Sequence, residues 1–485
     1  MEQMSVPPEP ALMESMRSVG YTLSTSVADV IDNSIAAAAR HVWIDFLSEG
    51  ERFVAITDDG QGMDDEAIVS AMRLAATNPR WARAAQDLGR FGLGLKTASL
   101  AQCRTLTVVS KTPAGVFGVR WSLDHLATTG DWSLLKLDSH EAHALPGMAR
   151  FKSLDRGTVV LWQDFGLLES TIGTSDGALD RAMMVVRDHL ALVFHRFIAG
   201  DDMPQVVFRL NDNPVPFLDP FLTKHRATQQ SHQESFLVAG ERVLVKAFTL
   251  PFLAKMSKAD RTAALVAGTL RDSQGFYVYR AGRLVIWGDW FRLEKRSDMS
   301  KLARVRVDIP NTLDHLWALD IKKSAAIPPP EVRRQLKRLS ERMVKPSKRV
   351  QTFRGRPVID ATTRLWETIE DRETFRYTVN RSHPAISALK RRLEPDTNRA
   401  LDLLLESLET TFPIFDAHNR LSQDQSQAAD NESEVAALRQ AADLLAVHRS
   451  LGGGFEDFIA QFSSIEPLNR IENIVQKLRD AGAAT

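Results

Sequence analysis

Apolar positions near the N-terminus change from helical spacing to strand spacing. VADVIDNSIAAAA is apolar at Val27, Val30, Ile31 and Ile35, and this spacing predicts an amphipathic helix. HVWIDF then alternates apolar and polar residues and precedes the apolar run RFVAIT, so we expect the two to pair as a hairpin.

Three later apolar runs, TLTVVSK, VFGVRWSL and TVVLWQ, have turn residues between them and predict antiparallel strands. Helices covering one face of such a sheet give an α+β sandwich, not a parallel doubly wound sheet. Residues 178–198 follow with the period of one long amphipathic helix. We expect packing or surface roles for its His189 and His195, because no zinc-site spacing surrounds them.

The pattern changes again beyond residue 221. RVLVKAFTLPFL and GFYVYRAGRLVIWGDW are rich in strand formers, and the second predicts a hairpin about Ala281 and Gly282. The last third is mostly helical in pattern. The sequence therefore predicts a sandwich domain with an N-terminal arm at 1–221, an α+β domain at 222–345 and a mainly helical region at 346–485.

Composition narrows the class of protein. Lys+Arg and Asp+Glu number 61 each, so affinity for nucleic acid would need a local patch. The one cysteine, Cys103, excludes an intramolecular disulfide framework and fits a reducing compartment. The sequence has no run of eighteen apolar residues and no signal-peptide pattern at its start, so we expect a soluble cytoplasmic protein without a membrane partner.

Asp29 and Asn33 are four residues apart and share one face of the first predicted helix. The amide oxygen of Asn33 is the hard ligand that Mg²⁺ prefers, and the Asp29 carboxylate can orient and deprotonate a water molecule. Taken alone, the pair is more typical of a solvated helix face.

The segment Asp58-Asp59-Gly60-Gln61-Gly62 ends the second predicted strand. Alternate glycines permit a tight turn and a close approach of backbone to ligand. A buried Asp58 can accept a hydrogen bond from an exocyclic amine such as that of adenine. Alone, the segment is also typical of an ordinary Asp-Gly turn.

Gly89, Gly92 and Gly94 precede the helical run LKTASLA. Such a loop presents backbone N–H groups to phosphate, Lys96 adds a positive charge in the first turn, and Thr97 is a candidate helix cap. The spacing is not that of a Walker loop, and the order of elements is not that of a Rossmann fingerprint.

Together these segments resemble the motifs of the GHKL ATPases, which include gyrase B, MutL, heat-shock chaperones, histidine kinases and MORC proteins. VADVIDNSIAAAA resembles the asparagine box, DDGQG the first glycine box, and GRFGLGLKTAS the second glycine box in its MORC-like form. Arg156 to Val160 resembles the Gly-Thr box. The resemblance covers about residues 12–165, and within the family it is strongest to MORC-like and MutL-like members.

The resemblance implies an ATP site with Mg²⁺ held by Asn33 and with Asp29 as catalytic base. It also implies that Thr77 to Leu88 form a lid that closes over ATP, although these residues equally fit a surface loop. The implied cofactor contacts are Asn33, Asp58, Gly60, Gly62, Met63, Asn78, Gly89, Phe91, Gly92, Leu93, Gly94, Leu95, Lys96, Thr97 and Thr158.

Two positions depart from the family pattern. Asp29 replaces the usual glutamate and is one methylene shorter, while Ala36 stands where an acid is common. A base misplaced by about 1 Å can cost on the order of a hundredfold in rate, so we expect slow hydrolysis. Asp32 is an alternative base, but we expect it to need a rotated helix face.

The region after residue 222 resembles the transducer domain of MutL and gyrase B, in which a loop lysine reaches the γ-phosphate. Lys323, or its neighbour Lys322, stands where that catalytic lysine is expected. The alternative is a solvated lysine pair beside a helix start. Further on, Arg333 to Arg356 contains ten Lys/Arg and one acid. This stretch fits either a stripe that binds the phosphates of double-stranded DNA or the solvated face of a helix and linker.

The resemblance therefore implies an ATP-dependent conformational switch that forms a homodimer on binding ATP, hydrolyses it slowly and acts in DNA transactions such as defence or repair. DNA cleavage would need a partner protein, because no nuclease motif is recognised, and a nuclease or a helicase is the expected kind of partner. The alternative is a chaperone-like ATPase acting on protein clients. A histidine kinase is disfavoured, since the first histidine, His41, already lies inside the ATPase-like region.

Overall fold

The computed structural model describes residues 9, 11–17, 20–74, 94–166, 172–173, 177–317, 328–352, 364–371, 374–412, 430–449, 453–463 and 473–480. The chain divides into two compact units, residues 1–353 and 354–485. None of the helices in these ranges is both long enough and apolar enough to cross a membrane.

The first half of unit one consists of one sheet and the helices that accompany it. In chain order they are α1 (Ala11–Met16), α2 (Leu23–Ala36), β1 (His41–Leu47), β2 (Phe53–Asp58), α3 (Asp65–Met72), α4 (Gly94–Leu100), β3 (Thr105–Thr112), β4 (Gly115–Ser122), α5 (Leu123–Thr129), β5 (Leu135–Leu137), α6 (Ser139–Ala144), α7 (Ala149–Ser153), β6 (Gly157–Gln163), α8 (Ala178–Val193), α9 (His195–Ala199), β7 (Val207–Leu210) and β8 (Asn213–Pro214).

The strands form one sheet in the order β5-β4-β3-β6-β2-β1-β7-β8. The predicted hairpin of β1 and β2 is confirmed, with Ile44 opposite Ile56. The three later predicted strands are also confirmed, because β3 pairs antiparallel with both β4 and β6. Among the described strands of this sheet, only β1 and β7 pair in parallel. The predicted α+β class is therefore confirmed.

Helix α2 contacts strand β2 of the sheet and the helices α4 and α8. It begins after Thr22, whose Oγ1 accepts a hydrogen bond from the Thr25 N–H while the Thr25 side chain accepts from the Thr22 N–H. This capping box satisfies two N–H groups at the helix start. Val27, Val30 and Ile31 are buried in the main core, as the apolar spacing predicted.

The prediction of one unbroken helix over residues 178–198 is wrong. Helix α8 ends at Val193, Phe194 leaves helical geometry at φ −109°, and α9 begins at His195. The Phe194 ring stacks on Phe208 and also contacts Phe197, so the three aromatic rings pack together in the buried core at this break. Packing of these rings outweighs the helical period in this stretch.

The second half of unit one is built on a second sheet. Its elements are β9 (Gln229–Gln230), β10 (Glu234–Val238), β11 (Glu241–Thr249), α10 (Lys258–Ala264), β12 (Gly275–Arg280), β13 (Arg283–Asp289), β14 (Ala303–Ile309) and α11 (Pro330–Thr352). The strand order is β10-β11-β14-β12-β13, with β9 paired to β11.

The predicted hairpin about Ala281 and Gly282 is confirmed as the β12–β13 pair. Both turn residues have positive φ, +46° and +87°, as a type I′ turn requires. Arg283, the first residue of β13, directly follows this turn. The predicted boundaries at 221/222 and 345/346 stay predictions.

The described residues of unit two form helices and a pair of antiparallel strands. Its elements are β15 (Trp366–Asp371), β16 (Thr374–Val379), α12 (Pro384–Lys390), α13 (Pro395–Thr410), α14 (Asp430–Arg449), α15 (Phe455–Phe462) and α16 (Ile474–Asp480). The helical pattern of this region is confirmed, but the antiparallel β15–β16 hairpin was not predicted.

Candidate functional site

The Asp58 carboxyl group stands at the C-terminal end of β2, where only 6% of the residue is exposed. Its Oδ2 accepts a hydrogen bond of 2.8 Å from the Ser34 hydroxyl on α2, and its Oδ1 accepts one of 2.9 Å from the Gly60 N–H. Burial raises the pKa of Asp58 to about 6. Two carboxylate oxygens offer about four acceptor sites, so the group has capacity for a further donor such as the adenine amine.

Glycines fix the backbone path around Asp58. Gly62 has φ +71°, and a Cβ atom there would lie 2.2 Å from the carbonyl oxygen of Lys111 on β3. Gly157 has φ +145°, and a Cβ atom there would lie 2.0 Å from the carbonyl oxygen of Asp58. A side chain at either position would displace the turn after β2.

The Ser110 hydroxyl on β3 ties this turn to the predicted Gly-Thr box. It accepts a 2.8 Å hydrogen bond from the Met63 N–H, lies 2.9 Å from Thr158 Oγ1, and donates to the Gly157 carbonyl at 3.1 Å. Thr158 is also paired with Asp58 in the β2–β6 register. The structure thus brings together the predicted residues Asp58, Met63 and Thr158.

Asn33 is exposed on α2 and is suited to a magnesium contact. Its Nδ2 donates to the Asp29 carbonyl oxygen at 3.4 Å, so the amide oxygen is the atom offered to a cation. Among the described residues, no group of three or more His, Cys, Asp or Glu could hold a metal. Mg²⁺ usually takes one or two protein ligands plus substrate phosphates and water, so one amide oxygen fits a Mg²⁺ that arrives with a nucleotide.

Asp29 is buried, unlike Asn33 one turn away. Its Oδ2 accepts a 2.9 Å hydrogen bond from the Tyr21 hydroxyl, and its Oδ1 accepts one of 2.8 Å from Arg283 Nη1 on β13. A Cβ atom at Gly94 would lie 3.9 Å from Asp29 Oδ2, so the carboxylate faces the start of α4. The predicted base therefore lies beside Gly94, the last glycine of the predicted phosphate loop, and is held from two sides.

The expectation that Asp32 needs a rotated helix face is wrong. Asp32 and Asp29 are three residues apart, which makes them neighbours on an α-helix surface. Both carboxylates bond Nη1 of the same Arg283 side chain. The two acids therefore form one buried cluster with a single guanidinium.

Comparison with known proteins identifies the domain that holds this site. Residues 21–158 match the family model described as histidine kinase-, DNA gyrase B- and HSP90-like ATPase. That range contains α2, the Asp58 turn, α4 and the Gly157-Thr158 pair. Residues 21–158 are therefore similar to a GHKL-type ATPase domain, and we call this range the GHKL domain. The resemblance stated from the motifs is confirmed.

Curated relatives match the same region at modest identity. ATPase morc-1 of Caenorhabditis elegans is 34% identical over 88 residues, 18% of this chain and 10% of that protein. The DNA mismatch repair protein MutL of Dictyoglomus turgidum is 33% identical over 95 residues, 19% of this chain and 17% of that protein. MutL of Thermoanaerobacter sp. is 28% identical over 96 residues, 19% and 16% respectively. The chain thus spans less than a fifth of each of these relatives.

Within the GHKL domain, Lys96 is buried on α4. Its Nζ donates a 2.8 Å hydrogen bond to the carbonyl oxygen of Ala71 near the end of α3, and burial lowers the pKa of Lys96 to about 8. Its contact with phosphate stays a prediction. Thr97 is not the helix cap that was expected, because α4 already includes Gly94 and Leu95 ahead of it.

Several predicted residues lie outside the described residues. They are Asn78, Gly89, Phe91, Gly92, Leu93, Lys322 and Lys323, together with the predicted lid from Thr77 to Leu88.

Sequence reasoning missed four groups that touch the site. Ser34 and Ser110 bond the Asp58 turn, and Tyr21 and Arg283 bond Asp29. Ser34 directly follows Asn33 and could have been found from the motif. Arg283 had no signal in the sequence, because it lies 254 residues from Asp29.

Proposed function

We propose that the chain is an ATP-dependent switch whose GHKL domain binds ATP with Mg²⁺ and hydrolyses it slowly. The observation that carries the proposal is the buried Asp58 carboxylate at the glycine turn, held by Ser34 and Gly60. Charged acceptors are seldom left buried without a purpose, because burial costs free energy. Asp58 would accept the adenine amine, and Asn33 would hold Mg²⁺, which when bound neutralises phosphate charge.

Slow hydrolysis follows from the surroundings of Asp29. A general base needs an oxygen within hydrogen-bond reach of the water that it deprotonates. Each oxygen of Asp29 already accepts one hydrogen bond, from Tyr21 or from Arg283. An ion-paired carboxylate is also a weaker base than a free one, although the same ion pair holds it in place. We therefore propose low turnover, with ATP-bound homodimers as the long-lived state.

Action on DNA is proposed from two sources. The MutL relatives are named DNA mismatch repair proteins. Helix α11 packs its apolar residues against the second sheet, while Arg334, Lys337 and Arg338 are exposed. Lys337 and Arg338 lie three and four residues after Arg334, so each is a neighbour of Arg334 on the helix surface, and the group can meet successive phosphates. Phosphate contacts would give sequence-independent binding.

Duplex binding at several salt concentrations tests this part of the proposal. We expect labelled double-stranded DNA to bind the chain in the presence of a non-hydrolysable ATP analogue and to dissociate as salt rises. The slope of log affinity against log salt should be roughly −0.9 for each phosphate neutralised. The triple variant Arg334→Gln, Lys337→Gln, Arg338→Gln should lower affinity and flatten that slope while leaving ATP affinity unchanged.

A matched triple variant controls for loss of charge alone. Lys258, Arg261 and Arg271 are exposed on or near α10 of the same domain, so changing them to Gln removes an equal charge elsewhere. We expect this variant to keep the wild-type salt slope. If wild-type protein binds no duplex at low salt, the DNA proposal fails and a chaperone-like action on protein clients takes its place.

A further inference from the structure

Arg283 begins β13 of the second sheet, but its side chain is buried against α2 of the GHKL domain. Only 4% of the side chain is exposed, and the side chains of Asp29 and Asp32 are 1% exposed. Nη1 donates to Asp29 Oδ1 at 2.8 Å and also bonds Asp32 Oδ2. One guanidinium from the second domain therefore reaches two carboxylates of the ATPase helix.

Neighbouring groups fix this cluster further. The guanidinium carbon of Arg283 lies 5.6 Å from the centre of the Phe194 ring, a cation–π contact. Burial, together with the positive charge of Arg283, lowers the pKa of His189 to about 4, so this histidine is neutral near pH 7. The Tyr21 hydroxyl occupies the other Asp29 oxygen at 2.9 Å. Among the side chains named here, Arg283, Asp29 and Asp32 carry the charges at neutral pH.

Stability alone is a weak reason for such a cluster. The cost of desolvating buried charges often cancels their attraction, and apolar replacements are frequently neutral or stabilising. What distinguishes Arg283 is its partner, because Asp29 is the predicted base and lies beside the start of α4. With Arg283 on one oxygen and Tyr21 on the other, the direction of this short side chain is fixed.

A second buried arginine of the same hairpin, Arg280, pairs with an acid in a different way from Arg283. Arg280 is 2% exposed and forms a two-pronged pair with Asp314, at 2.7 and 2.6 Å. Both residues of that pair belong to the second domain, so the contact stabilises that domain internally. Arg283 is directed across to the GHKL domain instead.

We propose that Arg283 is a positioning residue for ATP hydrolysis, through which the second sheet sets the orientation of the Asp29 carboxylate. The inference rests on the proposed function. Arg283 does not touch the adenine-binding group Asp58, so its loss should reduce turnover much more than ATP affinity. A removed interaction that acts only in the transition state lowers kcat and leaves KM nearly constant.

Two variants test the role by steady-state phosphate release. Arg283→Lys keeps the charge but offers a compact ammonium instead of a planar fork, so we expect kcat to fall about tenfold. The double variant Arg283→Gln, Asp32→Asn removes one charge of each sign and so avoids leaving two unpaired buried carboxylates. We expect its kcat to fall on the order of a hundredfold, the loss typical of a misplaced base. KM should change less than about threefold in both.

Arg280→Lys is the matched control, since it perturbs a buried arginine pair in the same hairpin without touching Asp29. We expect its kcat, per folded molecule, to equal that of the wild type. Calorimetric ATP binding by every variant provides the check that the pocket is folded.

The outcomes separate the inference from the proposed function. If the wild type neither binds nor hydrolyses ATP, the proposed function fails and the role of Arg283 fails with it. If the wild type turns over ATP while both Arg283 variants match or exceed its kcat, the positioning role alone is refuted. A parallel rise in KM and fall in kcat/KM at constant kcat would also refute it.

Discussion

Asp58→Asn should weaken ATP binding and, at the same time, stabilise the free protein. The carboxylate of Asp58 is buried at the end of β2, and burial raises its pKa from 3.8 to about 6. The asparagine amide has nearly the same shape and keeps an oxygen for the Gly60 N–H. The Ser34 hydroxyl can rotate to accept from the new NH₂ group.

The size of the stability change follows from proton linkage. A carboxyl group whose pKa is raised on folding contributes stability that is fully present below about 3.8 and is lost as pH rises through about 6. A pKa raised from 3.8 to about 6 corresponds to about 3 kcal/mol, which is the largest increase in the free energy of unfolding that Asp58→Asn can give at pH 7.5. The gain should shrink as pH falls from 6 and vanish near pH 4.

The loss of ATP affinity follows from one charged hydrogen bond. Hydrogen bonds to charged groups contribute about 1.5–3 kcal/mol, so Asp58→Asn should weaken ATP binding by roughly ten- to more than a hundredfold. Urea unfolding at pH 7.5 and near pH 4 measures the first effect, and calorimetry at pH 7.5 measures the second.

Asp59→Asn serves as the control for Asp58→Asn. Asp59 Oδ1 accepts from the backbone N–H groups of Arg40 and His41, at 2.7 and 2.9 Å. Replacing this charged acceptor by a neutral amide oxygen should lower the free energy of unfolding and leave ATP affinity intact. Wild-type ATP affinity in Asp58→Asn, or a lower free energy of unfolding for it at pH 7.5, would refute the reasoning.

Two further predictions concern turnover. Asp29→Ala should bind ATP without hydrolysing it and accumulate as a dimer in analytical ultracentrifugation, whereas Asp29→Glu should retain or raise the rate; unchanged turnover in Asp29→Ala would move the role of base elsewhere. Lys323→Ala, and to a smaller degree Lys322→Ala, should lower kcat more than ATP affinity in phosphate-release assays, and two near-normal enzymes would exclude this lysine pair as the γ-phosphate sensor.

The parts of the site built from local sequence were predictable. The alternation of apolar and polar residues in β1 indicated its pairing with β2, and the Asp-Gly motif that ends β2 indicated Asp58 as a buried acceptor. The glycines were predictable as a turn, although the reason for Gly62 lies in a carbonyl oxygen of β3.

The parts that depend on distant contacts were not predictable. Arg283 meets Asp29 across 254 residues, and neither periodicity nor a motif indicates such a pair. Phe194 interrupts a helical pattern because its ring packs on Phe208, which belongs to a later strand. In the second unit, residues 366–371 pair with residues 374–379 as antiparallel strands although the surrounding pattern is helical. Tertiary packing decided each of these cases over local propensity.

The most direct test is phosphate release from ATP by the full chain, measured with and without Mg²⁺ and double-stranded DNA, with Asp29→Ala as the reference. The account predicts slow turnover that requires Mg²⁺, is absent from Asp29→Ala and changes when duplex is added. Equal phosphate release by the wild type and Asp29→Ala would contradict the account, because hydrolysis would then not depend on the carboxylate that Tyr21 and Arg283 hold.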